Sequence, residues 1–268
     1  MIQLTRVRTA LAIPAGFRGV RRIERLQELI AASETGTFSF NSGVWKAAKN
    51  QLKSESAGKC AYCEAPTSAV AHGDVEHFRP KSVYWWLTYC YENYTYACQI
   101  CNQTFKNDRF PLEGEPMQPG DLTVPEMLFP DPLHEAEGMN QQDFHANCRG
   151  ELAHLPDVYR DDPELLFGWV ADAVKKEVRL VPRSASPVST RAATAAEEIL
   201  GLNRAELKGL RWTVYEDLEI FRNVLTELDS SVPLARQVRE KIRTMMDNSG
   251  EFAGMVRYFV RDAWNLNL

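Results

Sequence analysis

Cys60-Ala-Tyr-Cys63 and Cys98-Gln-Ile-Cys101 bracket the segment Asp74-Val-Glu-His-Phe-Arg-Pro-Lys81, and Asn102 follows the last cysteine directly. Two Cys-x2-Cys knuckles separated by 34 residues can supply four thiolates to one tetrahedral ion. Soft sulfur ligands favour Zn²⁺ over harder ions, and a set of four leaves no position for a water ligand. The expected role of this zinc is therefore structural, with Cys60, Cys63, Cys98 and Cys101 as ligands. An Fe–S cluster or four unliganded thiols are the alternatives. The gap exceeds that of a compact zinc ribbon, so a hairpin and a loop must be looped out between the knuckles. Cys90 and Cys148 lie outside the pattern and read as buried free thiols.

The looped-out segment carries a carboxylate beside an imidazole. His77 can take a proton from water near neutral pH, and Glu76 can hold a hard divalent ion. Neighbours on a strand face opposite sides, so the two share a site only if the backbone bends there. Pro80 helps to end the strand. Asp74 shares the strand face of Glu76 and is a second ligand candidate. If the second knuckle opens a helix, Asn102 and Lys106 lie four apart on one face, an amide oxygen for a metal beside an ammonium for a phosphate. Helix capping by Asn102 and a solvated Lys106 are the plainer reading. Asn93 either braces the loop that carries His77 or is a turn residue.

The bulk numbers place this core in an ordinary globular chain. Of 268 residues, 44% are hydrophobic and 25% charged, which excludes a disordered or fibrous class. No run of eighteen apolar residues is present, so no membrane span is expected, and Met1–Arg8 lacks the apolar core of a signal peptide. A cytoplasmic location is expected, where cysteines serve as metal ligands or free thiols more often than disulfides. The net charge of −5 hides an asymmetry. Residues 1–57 hold nine Lys/Arg against four Glu, a balance of +5, whereas residues 113–172 hold fourteen Asp/Glu against two Arg, a balance of −12. A basic arm beside a metal site suits a polyanion, and the acidic stretch would repel one.

Periodicity divides the chain into four stretches: a basic helical arm over 1–57, the cysteine-bracketed core over 58–112, an acidic loop-rich connection over 113–189, and a helical region over 190–268. Within them, helices are expected over 20–32 and 41–53, the second capped by Asn41, and a hairpin over 166–182. Asn203 and Glu206 have capping-box spacing ahead of a long apolar stripe from Leu207 to Leu225. Two further stripes run through 234–245 and 252–260. The fold class expected is α+β, a small metal-stapled core embedded in a mainly α-helical protein.

These residues resemble a known family. The knuckles, Glu-His-Phe-Arg-Pro-Lys, an Asn before the second knuckle, Asn102-x3-Lys106 and Phe110-Pro111 are similar to HNH nucleases with a ββα-metal fold. The match is nearer to the PtuB-like HNH nucleases of Septu and retron anti-phage systems. They share the Glu-His-Phe-Arg-Pro-Lys run and later signals matched here by Asp161-Asp-Pro-Glu164 and by Leu200-Gly-Leu-Asn203 with Arg211. The resemblance implies His77 as general base, Glu76 and Asn102 as ligands of a catalytic Mg²⁺ or Mn²⁺, and Asn93 as the brace of the His77 loop. It also implies a partner ATPase of the ABC/SMC type. Arg79, Lys81 and Lys106 are expected to meet the nucleic-acid backbone as charges, without reading bases. The third HNH position is Asn102 rather than His, and the stretch around 113–155 is long for the family. Its His134, His145, Cys148 and His154 are candidates for a second metal site. The function expected is a DNA endonuclease, with an RNA-cleaving nuclease and a non-catalytic zinc-stapled binding module as alternatives.

Overall fold

The computed structural model describes residues 1–67, 72–133 and 138–268. It is an α+β structure with two small antiparallel sheets among helices. The first sheet pairs β1 (Gly73–His77) with β2 (Tyr94–Cys98) in the register Asp74↔Ala97, Glu76↔Thr95 and His77↔Tyr94. All five residues of β2, Tyr-Thr-Tyr-Ala-Cys, are buried, as β-branched and aromatic residues in a covered strand should be. The first knuckle is laced to that strand by Ala61 N–H donating to the Tyr96 carbonyl at 2.9 Å. A π-helix, Ile100–Lys106, starts inside the second knuckle. Its wide turn is closed by Asn107 N–H donating to the Asn102 carbonyl at 2.6 Å. The order is therefore strand, looped-out turns, strand, helix, with a cysteine pair ahead of each half.

Three apolar clusters hold this unit in place. In the N-terminal stretch, α1 (Gly19–Thr35) buries Leu26 against Trp86, Leu87, Phe129 and Phe144. The expected helix over 41–53 is two pieces, α2 (Ser42–Lys46) and α3 (Lys49–Glu55), and Asn41 caps the first by accepting from Gly43 N–H at 2.9 Å. Both pieces pack on the first sheet, where Ala48 and Leu52 meet Val75, Tyr94 and Tyr96. The acidic stretch is more ordered than its composition suggests. It contains α4 (Gln141–Gly150), capped by Asn140 accepting from Asp143 N–H at 2.8 Å.

The largest core joins the knuckles to the C-terminal half. The second sheet pairs β3 (Phe167–Asp172) with β4 (Glu177–Pro182), within the expected hairpin. Then follow α5 (Pro187–Leu200), capped by Ser186, α6 (Ala205–Glu227), α7 (Pro233–Met246), α8 (Ala253–Arg257) and a closing π-turn, Tyr258–Ala263. The expected cap by Asn203 is a correction. Helix α6 starts at Ala205 without a side-chain cap. The Asn203 amide instead accepts from Leu180 N–H and donates to the Leu180 carbonyl, both at 2.9 Å. Satisfying both polar groups of a neighbouring backbone outweighs one helix-end donor.

Arg211 is buried and donates to the Leu202 carbonyl at 2.6 Å, with its guanidinium 4.6 Å from the centre of the Trp169 ring. Gly201 ends α5 in the left-handed region at φ 61, and a Cβ there would stand 2.5 Å from the Phe105 ring. Phe105 belongs to the π-helix, so Leu200-Gly-Leu is the contact at which the C-terminal half seats that helix. Gly201→Ala is expected to cost on the order of 1–3 kcal/mol through backbone strain and overpacking. Urea denaturation checks this, and an unchanged midpoint would contradict it.

Candidate metal centre and catalytic pocket

The four knuckle cysteines are buried, and their ligand atoms all lie within 4.8 Å of one another. Cys63 Sγ and Cys98 Sγ, from different knuckles, are 4.0 Å apart. A tetrahedron with metal–sulfur bonds of about 2.3 Å has edges of about 3.8 Å, so the donors fit an ion such as zinc with little movement. Outer groups suit thiolates. Cys101 N–H donates to Cys98 Sγ at 3.4 Å, and Arg204 Nη1 approaches Cys101 Sγ at 3.6 Å. Such contacts orient metal-bound sulfur and spread its charge. Hydrogen bonds from neighbouring thiols hold Cys63 well below the ordinary thiol range, whereas burial pushes Cys60 well above it. Four thiols sharing protons in this way are poised to lose them to a cation.

A pocket of about 240 Å³ opens at the hairpin. Asp74, Glu76, His77, Lys81 and Asn102 line it, together with Trp45, Gln103, Asn107 and Asp108. The sequence-predicted carboxylates, imidazole and amide are thus brought to one place. Glu76 and His77, neighbours at the end of β1, both reach it where the strand runs into Phe78-Arg-Pro80. That bend is held by Asn93, in the turn just before β2. Its side chain accepts from Arg79 N–H and donates to the Arg79 carbonyl, each at 2.9 Å.

His77 is fixed on three sides. The Trp45 and Tyr94 rings stand edge-on to it at 5.1 and 5.0 Å. Its Nε2 is 3.0 Å from the Thr88 carbonyl, which also accepts from the Tyr94 hydroxyl at 2.6 Å. A carbonyl can only accept, so Nε2 carries the hydrogen and Nδ1 keeps its lone pair. Burial, with smaller contributions from Lys81 and Lys106, pushes the His77 pKa down to about 3. The imidazole is neutral at physiological pH. Trp45, Thr88 and Tyr94 were not legible as partners of His77, since nothing in their spacing marks them.

Lys106 departs from expectation. Fully buried, it places Nζ 2.5 Å from Glu76 Oε1 and donates to the His77 carbonyl at 3.1 Å. It holds the two site residues in place and offers no ammonium to a phosphate. The Glu76 contact is an ion pair off the line of a hydrogen bond, so Oε1 stays a buried acceptor without an aligned donor. Burial raises the Glu76 pKa although Lys106 opposes it. Glu76 and Asn102 line the same pocket, the carboxylate with Lys106 against one of its oxygens.

Arg79 is a second correction. It is buried, with Nη2 2.6 Å and Nε 2.7 Å from Glu151 Oε2, and it ties the bend to the end of α4. Removing that charge from Glu151 to reach a phosphate would leave a buried carboxylate unpaired. Lys81 alone of the three expected backbone contacts lines the pocket. Of the second metal site, His134 lies outside the described residues. Among the described residues the four-cysteine group is the one cluster of three or more metal-binding His, Cys, Asp or Glu side chains, so His145, Cys148 and His154 do not converge. Cys90 and Cys148 are buried free thiols, as expected. Among the described residues, no helix is long and apolar enough to cross a membrane.

No protein-family model matches the chain. Over 133 residues it is 29% identical to the Septu protein PtuB of Bacillus mycoides (strain KBAB4), a stretch covering 44% of this chain and 45% of that protein. The chain thus spans less than half the length of that relative. The match agrees with the PtuB-like resemblance carried by the motifs.

Elemental analysis of the purified chain is expected to find one tightly bound ion of zinc type, and Cys60→Ser to lose it together with much of the folding stability. Absence of metal, or a Cys60→Ser variant as stable as the parent, would contradict the assignment.

Proposed function

We propose that the chain is a metal-dependent HNH endonuclease of ββα-metal type that hydrolyses phosphodiester bonds of DNA. The observation that carries this reading is that Glu76, His77 and Asn102 line one pocket, with His77 Nε2 3.0 Å from the Thr88 carbonyl. In this reading the cysteine cluster holds a structural zinc and takes no part in the reaction. Glu76 and Asn102, with Asp74 as a second carboxylate, would hold a Mg²⁺ or Mn²⁺ ion, which supplies charge stabilisation to the scissile phosphate and the leaving 3′ oxygen. His77 Nδ1 accepts the proton of the attacking water. The water oxygen bonds to phosphorus as the P–O3′ bond breaks. Lys106 keeps Glu76 and the His77 backbone aligned, and Lys81 meets a backbone phosphate. Asn93 preserves the bend that lets base and ligand share the pocket.

The match to a Septu protein supports a place in anti-phage defence, and the family resemblance implies an ATPase of the ABC/SMC type as the partner that would gate the nuclease. The −12 balance of residues 113–172 favours docking of protein over nucleic acid on that side. The purified chain, incubated with circular DNA and with bulk RNA, is expected to cut DNA only when Mg²⁺ or Mn²⁺ is present. His77→Ala is expected to lower the rate by about 10²–10⁴ while the fold and the cysteine-bound metal persist. Wild-type rates in that variant would remove His77 as base. Cleavage of RNA alone would make the chain a ribonuclease, and no cleavage of either would leave a zinc-stapled binding module.

A further inference from the structure

Beside the pocket lies a group of aromatic rings that the proposed chemistry does not use. Phe38 and Phe40 flank Ser39 in the extended segment between α1 and α2. Their rings are 5.4 Å apart and 24° from parallel, and Phe38 continues onto Trp85 at 5.5 Å and 34°. Among the described residues, neither phenylalanine joins any of the three buried cores, and both stay partly exposed.

This ridge is tied to His77 by both of its ends. Next to Phe40, Asn41 N–H donates to the Tyr89 hydroxyl at 2.9 Å, and Tyr89 stacks on Trp45 at 6.3 Å and 28°. Trp45 is the ring edge-on to His77. At the other end, the Trp85 carbonyl accepts from the Thr88 hydroxyl at 2.6 Å, and the Thr88 backbone carbonyl holds His77 Nε2. Lys81 Nζ lies 6.0 Å from the Trp45 ring centre, and Lys46, which follows Trp45 in the chain, is exposed. Partly exposed stacked rings near a lysine, linked to a pocket for a phosphodiester, have the make-up of a single-strand stacking platform. Bases within a duplex are stacked on one another and cannot reach such rings, whereas unpaired bases can.

From this we infer that the strand entering the pocket is unpaired, with its bases stacked on Phe38, Phe40 and Trp85 and its phosphates beside Lys81 and Lys46. The inference rests on the nuclease reading for its choice of ligand, and it names the substrate class as single-stranded nucleic acid, or the unpaired part of a larger one.

The test measures binding in the His77→Ala chain, so it does not depend on cleavage. Fluorescence anisotropy with oligothymidine, oligouridine and a duplex, each of about 20 nucleotides per strand, separates DNA from RNA and paired from unpaired. An unpaired strand is expected to bind about tenfold or more tighter than the duplex. Adding Phe38→Ser and Phe40→Ser should lower that affinity about tenfold and leave the duplex value within about twofold. Adding Phe38→Tyr and Phe40→Tyr should keep the parent affinity, since a phenol ring still stacks. Melting temperature and bound metal should match the parent in both variants. Equal affinity for paired and unpaired strands, or a serine variant that binds oligothymidine and oligouridine like the parent, would overturn the inference. Cleavage by the wild-type chain is read separately. A nuclease without strand preference sinks the platform alone, and ring-dependent binding without cleavage sinks the nuclease reading alone.

Discussion

Four buried thiols fix where everything else in the core can go. Each knuckle stands at the head of one half of the unit, the first ahead of β1 and the second at the junction of β2 with the π-helix. Bringing their sulfurs within 4.8 Å sets the distance between hairpin and helix. Without a cation, the thiolate form of that cluster would be a concentration of like charge in an apolar interior. A divalent ion cancels part of that charge, and Arg204 and the buried Arg211 stand where they offset more of it. Arg211 also carries the link outward, since it lies over Trp169 of the second sheet and bonds the Leu202 carbonyl next to Gly201. The cysteine cluster and the C-terminal helices therefore share one core, and the helical half is the wall against which the small unit is built.

The pocket lined by Glu76 and His77 depends on buried charge. Lys106–Glu76 and Arg79–Glu151 are ion pairs with almost no exposed surface. Pairs of this kind add little net stability, because desolvation offsets their attraction, but breaking one leaves an uncompensated charge. Their effect here is to specify geometry. Lys106 joins the end of the π-helix to the end of β1, and Arg79 joins the bend after β1 to α4. Asn93 completes the arrangement by pairing with both backbone groups of Arg79. The bend that brings Glu76 and His77 to one pocket is thus held from three directions by contacts distant in sequence.

That distance explains what could be read from the chain alone. The cysteine spacing was legible because ligand chemistry restricts residue type and spacing within a short segment, and Glu76, His77 and Asn102 from the same segment line one pocket. Asn41 was legible as a cap because its partner is two residues away. Arg79 and Lys106 were read as phosphate contacts because a lysine or arginine in a basic motif is ordinarily solvated. Their partners, 72 residues away for Arg79 and 30 for Lys106, leave no local trace. Asn203 failed as a cap for the same reason: the competing partner, Leu180, sits on a strand 23 residues earlier. The rings around His77 were invisible because aromatic residues in a rich aromatic stretch read as core.

The proposed divalent-cation site at Glu76, His77 and Asn102 is separate from the cysteine cluster, and its occupancy can be measured directly. Anomalous diffraction from crystals soaked in Mn²⁺ addresses it without any assay of activity. The account predicts a manganese peak within about 2.0–2.4 Å of a Glu76 carboxylate oxygen and the Asn102 amide oxygen, with the cysteine-bound ion unexchanged. Soaked crystals with no manganese in that pocket, or with manganese only among the four cysteines, would contradict it.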